Sequence, residues 1–277
     1  NPTVNGQSFG KNKMRYEEFN FKVKETPNFE IYHYLDNKNR VESIAQQLEL
    51  WFQLHHAVFS DSFYQKNPFI LYNNHADFQQ TNTVSGSIGV GTGGVTELFK
   101  NRVVIPLSFT NQQTHHVIGH ELVHAFQFNL ISQSDSTSVQ SLGNLPLWLV
   151  EGMAEYLSIG RVDPFTAMWM RDAVLNDDVP TFNKLNDFTY FPYRYGHVFL
   201  SFMTGNFGDQ VIEPLFRNTA IYGIETGIYM TTGIEYRELS KKWVETIKSH
   251  YAPYVEGKKE KTIGKKIISS ENAGETN

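Results

Sequence analysis

His120-Glu121-Leu122-Val123-His124 constrains this chain more than any other stretch, because it demands a helix with two different faces. Histidines four apart on a helix project from one side, one turn above the other, so their ring nitrogens can converge on one point. Glu121 lies roughly 100° round the helix from His120, within reach of a water held at that point yet outside the ligand pair. Ile118, Leu122 and Ala125 fall together on the opposite face, which suits a core. The five-residue pattern arises by chance in roughly one chain in a hundred of this length at average composition. It gains weight only with a third ligand in a fitting context.

The search for that ligand is narrowed by composition. The chain has no cysteine, which removes disulfides, thiol nucleophiles and cysteine-held zinc and leaves His, Asp and Glu as the strong metal ligands. With 277 residues, 40% of them hydrophobic, it can bury a sizeable core as one large domain or two closely packed lobes. The formal charge of -5, with no basic patch interleaved with aromatics, speaks against a nucleic-acid partner. No apolar run approaches the roughly 20 residues a membrane-spanning helix needs. No signal-like segment opens the sequence, and Asn1 in place of Met reads as a processed or trimmed start.

Taken in order, residues 1–15 read as a flexible arm. Phe19 to Val23 and Phe29 to His33 alternate apolar and polar residues around Pro27-Asn28, which predicts a strand pair with His33 as a strand residue. Val41 to Phe59 has helical periodicity, and its His55-His56 pair lacks a partner at ligand spacing, so packing or surface roles are expected. Phe69 to Tyr72 reads as a short strand. The glycine-rich run Ser85–Gly94 lacks the lysine and the following helix of a phosphate loop, so a flexible loop near the cleft is expected. Arg102 to Phe109 is β-prone, and Pro106 predicts an edge strand that could hydrogen-bond an extended peptide. The helix bearing the motif is expected to be capped by Thr110 or Asn111 and to run to about Leu130.

A loop then leads to Leu145-Pro146-Leu147-Trp148-Leu149-Val150-Glu151-Gly152-Met153-Ala154-Glu155-Tyr156, with Pro146 in the first helical turn. A hydrolytic zinc takes three protein ligands and leaves one position for water, and two histidines with one carboxylate meet that count. Glu151 is the expected third ligand. Glu155, one turn further on the same face, can then accept a hydrogen bond from the free nitrogen of His120 or His124 and fix its orientation. Two carboxylates in so apolar a segment argue against a merely solvated face. His116, one turn before His120, sits too far along the axis to join the same ion, so it is given a supporting or cleft-wall role.

These two segments resemble the gluzincin metallopeptidases, in particular the peptidase MA-like domains with their P-x-W-x-x-E-G-x-A-E-Y helix. The likeness covers roughly residues 100 to 205. It implies that the glutamate before the glycine, Glu151, is the third zinc ligand, in agreement with the ligand count. Phe9-Gly10-Lys11-Asn12-Lys13 through Phe29-Glu30-Ile31-Tyr32 is also similar to the amino-terminal peptidase domain of exported bacterial proteins that carry a TolB-like propeller. That implies an exported protein, with a carboxy-terminal propeller as a partner domain beyond this stretch. By the same likeness Tyr193 takes the place of the tyrosine that donates to the oxyanion, with Tyr195 and His197 as alternatives and Arg194 as a candidate for a substrate carboxylate.

The expectation is therefore an α+β, zincin-like fold. An amino-terminal mixed β-sheet with an edge strand precedes a mostly helical carboxy-terminal half, and the active-site helix lies between them. Residues 16–256 form the domain, with lobes of about 16–130 and 131–256, and the lysine-rich stretch 257–277 is a tail or linker. Helices are expected from Asp163-Pro164 to Leu175, from the Phe191-Pro192 region to Gly205, from Gly208 to Ala220 and from Ile234 to His250. The expected activity is hydrolysis of peptide bonds by zinc on His120, His124 and Glu151, with Glu121 as general base and Tyr193 assisting. The alternatives are a peptide- or partner-binding module on the same fold and a zinc hydrolase of a non-peptide bond.

Overall fold

Alternation in the first hundred residues becomes a five-stranded mixed sheet in the computed structural model, which describes residues 17–258 apart from 61, 62, 64, 85 and 134–138. The expected arm 1–15 and the tail beyond 258 lie outside the described residues, as do Phe9-Gly10-Lys11-Asn12-Lys13 and the middle of the loop after the motif helix. Strands β1 (Lys22–Glu25) and β2 (Phe29–His33) form the expected antiparallel pair. Helix α1 (Lys38–Phe59) is the crossover that lets β3 (Asn67–Tyr72) run parallel to β2. The short helix α2 (His75–Phe78), β4 (Val95–Glu97) and β5 (Arg102–Pro106) follow, giving the order β1-β2-β3-β5-β4.

That order corrects the expectation for Arg102 to Phe109. β5 is flanked on both sides, parallel to β3 and antiparallel to β4, and the edge is the three-residue β4. Pro106 is tolerated because it ends the strand: β4 reaches only as far as Val104, while β3 continues to Pro106 and the next amide, Leu107 N, donates to Tyr72 O. Since successive residues of a strand face opposite neighbours, the missing N–H of Pro106 falls on the side where pairing has already stopped.

Side-chain alternation splits the sheet's two faces. Phe29, Ile31, Phe69, Leu71, Val103 and Ile105 join the helices in the main core, while Tyr72, Val104, Ile88 and Phe78 make a small second cluster beneath the other face. The main core runs without interruption from Phe29 to Ile247, through both expected lobes.

Helix α3 (Asn111–Gln133) carries the motif and extends beyond Leu130. Its start is a reciprocal cap: Gln113 N donates to Thr110 Oγ1 at 3.1 Å, and Thr110 N to Gln113 Oε1 at 3.2 Å. Its back lies on α1. Trp51 Nε1 donates to His115 O at 3.0 Å, and His55 Nε2 meets Gly119 O at 2.9 Å. Burial pushes His55 down to about 4, so a neutral ring donates to that carbonyl. Gly119 is needed here, because a Cβ would stand 2.7 Å from Trp51 Cε2.

α4 (Leu147–Ile159) packs against α3, and α5 (Pro164–Leu175, capped by Asp163) and α4 both pack against α6 (Pro192–Phe207). The chain closes with α7 (Ile212–Tyr222), α8 (Ile224–Thr232) and α9 (Tyr236–Val255). α8 had no sequence expectation. No helix among the described residues is long and apolar enough to cross a membrane.

Candidate metal centre

α3 and α4 bring three donor atoms to one point. His120 Nε2 is 3.2 Å from His124 Nε2 and 3.2 Å from Glu151 Oε2, and His124 Nε2 is 3.3 Å from the same oxygen. Ligands about 2.0–2.1 Å from a tetrahedral zinc stand about 3.3 Å apart, so the triad fits that ion without rearrangement. All three side chains are at least 85% buried.

Outer partners hold the rings. His124 Nδ1 meets Gln127 Oε1 at 2.9 Å, and Gln127 Nε2 donates to Val150 O at 3.2 Å, tying the ring to α4. His120 Nδ1 lies 3.1 Å from Glu155 Oε1, close but not aligned as a hydrogen bond. Glu155 also meets His116 Nε2 at 3.1 Å through Oε1 and Arg194 at 3.3 Å through Oε2. Glu155 thus stands beside Nδ1 of His120 without the hydrogen bond expected of it, and His116 is at the cleft wall. Gln127 was missed, although its position three residues after His124 on one helix was a usable signal.

Glu121, from the neighbouring face of α3, lines a cavity of about 460 Å³ together with His116, His120, Glu155, Tyr193, Arg194 and the run Gly91-Thr92-Gly93-Gly94. The Thr96 hydroxyl of β4 is 2.7 Å from Glu121 Oε2 and 2.9 Å from Glu121 O, and its one proton serves either oxygen. Gly94 lets β4 come this near: a Cβ would stand 2.8 Å from Glu121 Cγ. The glycine-rich run therefore sits by the cleft. Thr96 had no local signal, since it meets Glu121 only through the sheet.

Of the three oxyanion candidates, Tyr193 alone lines this cavity, its ring stacked on His120 at 5.8 Å between centroids. Burial first, then the carboxylates of Glu151 and Glu121, hold its hydroxyl well above the ordinary phenol value. Tyr195 is buried between Tyr190 and Trp169, and its hydroxyl is pushed up to about 12 by burial. His197 is buried with Nε2 on Gly160 O at 2.7 Å. The Arg194 charge is already matched by Glu155 and by Asp163 at 3.0 Å, which weakens the expectation that it holds a substrate carboxylate. His115 points the other way, its ring tilted against Trp51 and hydrogen-bonded to Gln47.

Burial opposes a charge on His120, but the hydrogen bond with Glu151, the nearby carboxylate of Glu155 and the field of Glu121 outweigh it and raise the imidazolium to about 10. Burial likewise pushes Glu151 and Glu155 up, and the histidines beside them more than offset this, leaving both well below the usual carboxylate range. In the metal-free protein, stabilisation from His120 is then full below pH 6.5 and is lost as pH rises through about 10. An ion needs the Nε2 lone pair, so zinc uptake near pH 7 should release about one proton, and affinity should rise about tenfold per pH unit. Calorimetric titration in buffers of different ionisation enthalpy reads this directly. Uptake without proton release would show that His120 is neutral beforehand.

No known family profile matches the chain, and a search of curated proteins finds no match.

Proposed function

We propose that this chain is a zinc-dependent peptidase of the gluzincin type on a zincin-like domain. The observation that carries the reading is the convergence of His120, His124 and Glu151 at zinc-ligand spacing beside a cavity lined by Glu121 and Tyr193. Zinc, when held there, would supply a Lewis acid that lowers the pKa of water and polarises a carbonyl. Glu121, steadied by Thr96, takes the proton of the attacking water and passes it to the leaving amine. Tyr193 stays protonated at neutral pH and donates to the developing oxyanion. Gln127 and Glu155 keep the imidazoles aimed.

The extended-peptide preference now attaches to β4 in place of β5. β4 is the sheet edge on the cavity side, and the glycines leading into it line the cavity, so its outer backbone can take an added strand. This favours a peptide over a non-peptide ester or amide. Incubating the chain with a mixed peptide library should give cleavages that a chelator abolishes and zinc restores. Stoichiometric zinc with no peptide cut would leave the binding-module or non-peptide reading in its place.

A further inference from the structure

One turn along α3 from the triad, a second group of donors meets at the cavity wall. His116 Nε2 and His120 Nδ1 each lie 3.1 Å from Glu155 Oε1, and the three atoms lie within 4.8 Å of one another. We propose that His116, Glu155 and the Nδ1 of His120 form a second, weaker position for a divalent transition metal, and that filling it works against the first.

Three observations carry the position. The two 3.1 Å separations are close to the spacing of about 3.3 Å between donors on one tetrahedral ion. His120 Nδ1 is a buried ring nitrogen without an aligned hydrogen bond, on a residue only 8% exposed. His116 is 32% exposed at its side chain and lines the cavity, so an ion can arrive from solvent. Two imidazoles with one carboxylate, itself shared with Arg194, select zinc, cobalt, nickel or copper over magnesium or calcium.

The antagonism rests on the proposed triad and follows from the chemistry of one ring. A neutral imidazole has a single free lone pair. When His120 gives Nε2 to the first ion, Nδ1 keeps the proton, so the second ion is held by His116 and Glu155 alone. It also pulls Glu155 from the ring that Glu155 orients. When the triad is broken, the ring can carry its proton on Nε2, against Glu151 Oε2 at 3.2 Å, and offer Nδ1 to the second position. Removing a ligand of the first position should therefore tighten the second.

The test is equilibrium dialysis against zinc, with bound metal counted by mass spectrometry and Co²⁺ absorption as a second readout. Wild type should take two ions, the second roughly tenfold or more weaker, the scale on which a ligand's partner matters. His116→Gln should keep only the tighter ion. His124→Ala should keep one ion, bound more tightly than the second ion of wild type, and the double variant none. If wild type stops at one ion and His124→Ala binds none, the second position is overturned while the triad stands. If the single ion of wild type survives His124→Ala and is lost in His116→Gln, the triad falls and the second position stands. An ion in His124→Ala no tighter than the second ion of wild type overturns the antagonism.

Discussion

Glu121→Gln should leave metal content unchanged and reduce peptide hydrolysis by about 10²–10⁴-fold, the range for losing a general acid–base group. At 1.36 kcal/mol per tenfold, that is about 3–5 kcal/mol of transition-state stabilisation. Glutamine keeps the shape of the side chain and its contact with Thr96, and loses the capacity to accept the water's proton. The metal should stay because Glu121 is outside the triad, whose donors come from His120, His124 and Glu151. Metal content by mass spectrometry and kcat/KM on a cleaved peptide should be read on the same preparation. Retention of more than a tenth of the activity would remove Glu121 from the role of base. Loss of metal would mean that the carboxylate helps hold the ion.

The parts of this site that were legible in the sequence are those encoded within one helix. The spacing of His120 and His124 fixes their common face whatever packs around them, and Glu151 and Glu155 are related by the same four-residue step. Thr110 announced the start of α3 because a cap is a local interaction. What escaped depends on contacts distant in sequence. β4 has three residues behind a glycine run, too few for alternation to register, and so the edge was assigned to β5 from Pro106. Thr96 reaches Glu121 only once β4 has paired with β5 and the sheet has met α3. α8, between Gly223 and Gly233, is nine residues long and close to the lower limit at which periodicity is readable.

The same reasoning makes Gly196 the substitution with the largest structural effect. α4 carries Glu151 and Glu155, α6 carries Tyr193 and Arg194, and their axes come together where Gly152 faces Gly196. A Cβ on Gly196 would stand 1.8 Å from Trp148 O and 2.6 Å from Gly152 Cα, and both are backbone atoms with no rotamer to change. The helices must part by more than an ångström, in a region where Trp148, Phe199 and Leu200 are fully buried. Overpacking a core usually costs about 1–3 kcal/mol. With backbone on both sides Gly196→Ala should reach about 3 kcal/mol or more, a fall in Tm of roughly 6–12 °C for a chain of this size. Tyr193 should move away from the triad in the same step, so kcat should fall further than the unfolded fraction explains. Gly205→Ala is the control on the same helix: its Cβ would meet nothing within 4 Å, so it should be neutral or stabilising by up to about 1 kcal/mol. Equal melting temperatures for the two variants would show that the crossing is not set by the Gly152–Gly196 contact. The distance between Glu151 on α4 and the Tyr193 phenol on α6 would then have to be set by the aromatic packing of Trp148 on Phe199.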